Sequence, residues 1–198
     1  FSSVYDPFGK FLPITSCMKV HMRRKVTETE IWDGILTAET RSILVKNFWM
    51  LEKLRGMKFS RARVPVDALN HDLQLIAAVD ASSELKIAGV WARFMRINGE
   101  YSSQLVIGRS LLSREDSSIP KEELEAASIG SNLLRVVRKA LHDWLDEFFL
   151  ISDSTIALCW ISAINKRLGL FQRNRVNQVK MNMPVDRLLW VETISNPA

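Results

Sequence analysis

Ile119–Ala127, IPKEELEAA, is the stretch from which the rest of the chain is read. Pro120 suits a first helical turn, where a missing N–H costs nothing, and Glu122 and Glu123 stand where the helix dipole favours negative charge. Beyond them Ala126, Gly130, Leu133, Val137, Ala140 and Trp144 recur at helical spacing, so one face packs on another layer. The small Ala126 and Gly130 predict a close approach near the helix start. Upstream, Leu73–Asp80 reads LQLIAAVD, a nearly continuous apolar run ending on an acid, as expected of a central strand buried on both faces. Downstream, Phe148–Ser152 reads as another strand, and Asp153 joins it to a helix over Thr155–Ile164. Strand ends and helix starts gather along one edge of an α/β sheet, so an acid from each of these places can converge. Three converging carboxylates suit a hard divalent cation, which prefers oxygen ligands.

Composition bounds the reading. The chain has 198 residues, enough for one full core and a partial second unit, and its 47% apolar and 25% charged residues are ordinary for a globular protein. Its formal charge of +5 and pI near 9.4 are compatible with a polyanionic partner without demanding one. No apolar run approaches the roughly 20 residues of a membrane span. Cys17 and Cys159 have no metal-ligand spacing and read as buried thiols in a reducing compartment. The first residue is Phe, so the chain reads as an excerpt from something longer.

The N-terminal third is organised differently. Asp6-Pro7 and Gly9 predict a bend, Ile14–Arg24 a helix, and residues 26–38 a connection or a poor helix. Thr40–Met57 is a firmer helix, with Ile43, Leu44, Phe48, Leu51 and Leu54 on its apolar stripe and Asn47 off it. Lys58–Asn70, with Arg61, Arg63 and Pro65, reads as a linker or edge strand, placing a domain boundary near residue 70. After it, Ala88–Met95 and Tyr101–Leu111 flank Asn98-Gly99, a strong hairpin signal, and complete an antiparallel meander with the first strand. Arg167–Met181 reads as a further helix and Arg187–Glu192 as a last strand.

The order β-β-β-α-β-α-α-β, with acids on the first strand, first helix and fourth strand, resembles the ribonuclease H fold: a mixed five-stranded sheet flanked by helices. The motifs VDAS, IPKEELEAA, SDSTIALCWI, FQRNRVNQV and the ending W-x-E-x-x-x-NPA follow one another as in the Pao/BEL family of LTR retrotransposon polyproteins. The resemblance is to the reverse transcriptase connection plus ribonuclease H region, also labelled the Pao retrotransposon peptidase family. It implies a helical thumb- or connection-like segment over residues 1–70 and a ribonuclease H-like domain over 71–198. It further implies endonucleolytic hydrolysis of the RNA strand of RNA/DNA hybrids during reverse transcription.

The resemblance assigns the catalytic and metal-binding acids one by one: Asp80 as the first-strand aspartate, Glu123 as the glutamate of E-L-x-A-A, and Asp153 as the fourth-strand aspartate. Glu122 and Glu125 are near rivals of Glu123. Two Mg²⁺ ions, with Mn²⁺ as substitute, would activate a water and stabilise the leaving 3′ oxygen in one in-line displacement. The hybrid would be read by its shape and its 2′-hydroxyls, with Arg109, Arg114, Lys121 and Arg173 as phosphate contacts. The upstream polymerase palm of the same polyprotein is the implied protein partner, no membrane is involved, and the implied location is the cytoplasmic particle, with the nucleus as alternative. The family's NPAD ending places another aspartate directly after Ala198, so the chain reads as ending one residue short of its fourth acid. Glu192 stands where the family usually has histidine.

Each acid also has an ordinary reading. Asp80 alone is a turn or cap residue, Glu123 a first-turn glutamate, and Asp153 an N-cap. A degenerate, non-catalytic module that grips a hybrid for the polymerase is the alternative function. An aspartic peptidase is disfavoured: its two carboxylates share a proton within paired Asp-Thr/Ser-Gly turns, and neither Asp80-Ala81-Ser82 nor Asp153-Ser154-Thr155 has the glycine.

Overall fold

The computed structural model describes residues 6–29, 34–58, 68–163 and 167–198. Residues 11–61 form one compact unit, and residues 1–10 with 62–198 form another. The smaller unit holds α1 (Leu12–Thr29) and α2 (Ala38–Lys53). Helix α1 runs past the expected Arg24. In α2 the sequence stripe does not predict burial: Asn47 is buried and its amide lies 3.2 Å from His21 Nδ1, whereas Phe48 is 57% exposed. A polar partner on the facing helix accommodates Asn47 there, which apolar periodicity does not register. The linker expected around Arg61, Arg63 and Pro65 lies outside the described residues.

The larger unit is built on a five-stranded sheet in the order β3-β2-β1-β4-β5. Strands β1 (Ala68–Ala81), β2 (Leu85–Arg96) and β3 (Tyr101–Leu112) form the antiparallel meander. Gly99 turns the β2–β3 hairpin at φ +83°, which a residue lacking Cβ adopts without strain. Strand β4 (Leu145–Ser152) pairs parallel with β1, and the short β5 (Leu188–Trp190) parallel with β4. The parallel pairing puts the C-terminal ends of β1 and β4 at one edge.

Helix α3 (Ile119–Ala140) lies on this sheet, with Ala126, Gly130, Leu134 and Val137 buried. Gly130 supplies the expected close approach: a Cβ there would sit 2.4 Å from Val79 Cγ1. The helix stops four residues earlier than Trp144, which falls in a one-turn 3₁₀ segment and is 51% exposed. Helices α4 (Thr155–Ser162) and α5 (Leu170–Asn182) complete the layer. Helices α3 and α5 run parallel, joined by Arg175–Glu125, Ser128–Gln178 at 2.6 Å and Asn182 to both Ser131 and Asn132. The two thiols expected to be buried, Cys17 and Cys159, are exposed. Among the described residues, no helix is long and apolar enough to cross a membrane.

Candidate metal centre

Three elements deliver one acid each to the sheet edge. Asp80 is the penultimate residue of β1, Asp153 directly follows β4, and Glu123 lies in the first turns of α3. One carboxylate oxygen from each lies within 4.8 Å of the others. Among the described residues none of the three has an ion-pair partner.

Local chemistry explains how each side chain is placed. Asp80 Oδ1 accepts a 2.7 Å hydrogen bond from the N–H of Ala81. The N-cap of α4 is Ser154, whose Oγ accepts from the N–H of Ala157, so Asp153 is released from the capping role that its position suggests. The Nε1–H of Trp190 donates to the backbone carbonyl of Asp153 at 3.0 Å, and Asn196 Nδ2 donates to the carbonyl of Val79, next to Asp80, also at 3.0 Å. The C-terminal segment therefore braces both strands that carry the aspartates.

Electrostatically the site has unbalanced negative charge. Burial, followed by the charges of Asp153 and Asp80, raises the Glu123 carboxyl to about 7. Burial also raises Asp80, opposed by the Ala81 N–H and reinforced by Asp153. Asp153 Oδ1 is buried with no hydrogen-bond partner among the described residues. An orphaned carboxylate oxygen beside two other carboxylates fits a hard divalent cation, which would supply the missing positive charge and accept oxygen ligands.

The rival glutamates are bound elsewhere. Lys86, only 4% exposed, donates to Glu122 and, at 2.8 Å, to Glu125. Arg114 and Arg175 also contact Glu125, at 3.3 and 3.0 Å. Burial alone would raise Glu125, but hydrogen bonds and charge from Lys86 and Arg175 outweigh it and hold the carboxyl below its ordinary value. Lys86 escaped the sequence reading, although the period of two along β2 marks it: it shares the inward row with Ala88, Val90, Ala92 and Phe94.

The four expected phosphate contacts lie on β3, just before α3, in its first turn and on α5. Arg109 on β3 and Arg173 on α5 are exposed, and Lys121 is half-buried in the first turn of α3. Arg114 is engaged by Glu125 and stacks on the Phe171 ring, 4.9 Å from its centroid. Glu192 is exposed just beyond β5.

A mixed sheet of this order, with acids at the ends of β1 and β4 and at the start of the intervening helix, defines a ribonuclease H-like protein. The chain belongs to the family described as the Pao retrotransposon-like RNaseH-like domain, whose model matches residues 1–154. The N-terminal RNase H domain of Rv2228c from Mycobacterium tuberculosis superposes with a TM-score of 0.40 at 13% identity, over 63% of this chain and 86% of that one. LC11-RNase H1, isolated from compost and solved with an RNA/DNA hybrid, gives 0.34 at 16% identity, over 63% and 88%. The foamy viral protease-reverse transcriptase solved with double-stranded DNA gives 0.36 at 13% identity, over 83% of this chain and 28% of that one. No curated protein matches the chain.

Proposed function

We propose that the chain is the ribonuclease H of its retrotransposon, hydrolysing the RNA strand of RNA/DNA hybrids with Asp80, Glu123 and Asp153 as the metal-holding acids. The observation that carries this reading is the convergence of three carboxylates, unpaired among the described residues, while the neighbouring Glu122 and Glu125 are neutralised by Lys86, Arg114 and Arg175. Magnesium, in a pair of ions, is the cofactor that this donor set suits; when bound, it supplies a nucleophilic water at neutral pH and charge stabilisation for the leaving oxygen.

The protein's own groups do the positioning. Asp80, fixed by the Ala81 N–H, anchors the site from β1. Asp153, with its backbone held by Trp190, faces it from β4, and Glu123 closes the site from α3. Exposed Arg109 and Arg173, together with Lys121, are the proposed phosphate contacts; Arg114 is the weakest of the four because Glu125 already engages it. The polymerase palm of the same polyprotein is the proposed neighbour.

Hybrids labelled separately on each strand test this function. The expected result with Mg²⁺ or Mn²⁺ is cutting of the RNA strand alone, with RNA duplex, DNA duplex and single strands left intact. Cutting of DNA, or hybrid binding without cutting by the folded protein, would overturn it; the second result identifies the gripping module.

A further inference from the structure

We propose that Lys86 is a positioning residue of the acidic site: it holds Glu122 and Glu125 to one side of α3 and so presents Glu123, alone of the three glutamates, to Asp80 and Asp153. The metal-binding part of this inference rests on the reading of the triad given above.

Helix geometry separates the three side chains. At about 100° per residue, Glu122 and Glu125 project about 60° apart, while Glu123 is turned about 100° from Glu122. Glu122 lies on the buried stripe with Ala126, Gly130 and Leu134, facing the sheet, and Glu125 lies towards α5. Lys86 reaches both from the inward row of β2. Its cross-strand partner is Ala81, the residue after Asp80. One ammonium group thus ties the strand pair that carries Asp80 to the helical turn that carries Glu123.

Burial makes this tie restrictive. Lys86 is 4% and Glu122 1% exposed, so a slide or rotation of the first turn of α3 would leave buried charges without partners. An apolar trio of similar volume would hold the helix to the sheet at least as stably, since desolvation consumes most of the Coulombic gain. Glu122 Oε1 has no hydrogen-bond partner among the described residues, so the desolvation of this pair is not fully offset by hydrogen bonds. What the charges add over apolar packing is a defined angular setting of the helix, and that setting decides which glutamate enters the site. Arg114 shares Glu125 Oε2 with Lys86 and Arg175 binds Oε1, so both oxygens of Glu125 are engaged outside the triad.

The test compares Lys86→Met/Glu122→Gln, which removes the lysine without leaving a buried bare carboxylate at Glu122, with Leu134→Ala. The latter weakens α3 by a cavity at a site remote from Glu123. The first readout needs no metal: the NMR resonance of the Glu123 side-chain carboxyl carbon in the metal-free protein. The second is Mn²⁺ affinity, followed by electron paramagnetic resonance. Lys86→Met/Glu122→Gln is expected to shift the Glu123 resonance and to weaken Mn²⁺ binding by about 10- to 100-fold, the usual range for loss of a group that orients a ligand. Leu134→Ala is expected to leave both at wild-type values despite its lower melting temperature. An unmoved Glu123 resonance with wild-type Mn²⁺ affinity in the double variant overturns the role of Lys86. Should the wild-type protein bind no Mn²⁺, the metal reading of the triad fails, and the Glu123 resonance still decides the role of Lys86.

Discussion

Removing the negative charge of Glu123 should stabilise the metal-free protein at alkaline pH. Burial and the charges of Asp153 and Asp80 raise this carboxyl from 4.5 to about 7. Between those values the folded state holds a proton that the unfolded chain has released, so stability contributed by the protonated form is present below pH 4.5 and lost as pH rises through about 7. The rise from 4.5 to about 7 corresponds to about 3 kcal/mol before screening. Solvent still reaches the group, and screening reduces this to about 1–2 kcal/mol. Glu123→Gln keeps the shape without the charge. For a chain of this size 1 kcal/mol moves the melting temperature by about 2–4 °C. In EDTA at pH 8, Glu123→Gln should therefore melt about 3–6 °C above wild type by that scaling, with the gap closing towards pH 5. Saturating Mn²⁺ should reverse the order, because only the ionised wild-type site gains from the cation. Melting followed by near-ultraviolet circular dichroism at both pH values checks this. An EDTA melt of Glu123→Gln at or below wild type at pH 8 would refute the electrostatic account of the triad.

Three further outcomes follow from the scaffold. Gly130→Val should cost about 1–3 kcal/mol, because a Cβ there meets Val79 Cγ1 at 2.4 Å and helix and strand must separate; urea titration measures it. Ser154→Ala removes the α4 N-cap and should cost about 1 kcal/mol, while weakening Mn²⁺ binding if Asp153 is drawn back into capping; chemical denaturation and metal titration report the two effects. Trp190→Phe deletes the 3.0 Å hydrogen bond to the Asp153 carbonyl and should cost about 0.5–1.5 kcal/mol, with a several-fold rise in the Mn²⁺ dissociation constant.

Much of this arrangement was legible in the residues because its signals are local. The apolar run ending at Asp80, the Asn98-Gly99 turn and the Pro120 helix start each depend on a few consecutive side chains, and the strands and helix they imply are present. Gly130 likewise announced a tight helix–strand contact. What escaped depends on partners distant in sequence. Lys86 looks like an ordinary strand lysine until α3 brings Glu122 and Glu125 to it. Asn47 looks solvent-facing until a helix carrying His21 packs beside it. Trp144 fitted the helical period but lies past the last turn, where Leu141 donates its N–H to the Val137 carbonyl and the chain turns towards β4. The choice among Glu122, Glu123 and Glu125 needed the same long-range information, since helical spacing alone left each a candidate.

The central claim is that Asp80, Glu123 and Asp153 act together as the metal-holding acids of an RNA-cleaving site. Mg²⁺-dependent cleavage of an RNA/DNA hybrid by Asp80→Asn, Glu123→Gln and Asp153→Asn, side by side with wild type, tests it most directly. Wild type is expected to cut the RNA strand, and each substitution to lower the rate by at least about a thousandfold, roughly 4 kcal/mol of barrier, while hybrid binding persists. Retention of near wild-type cleavage by any one of the three would contradict it.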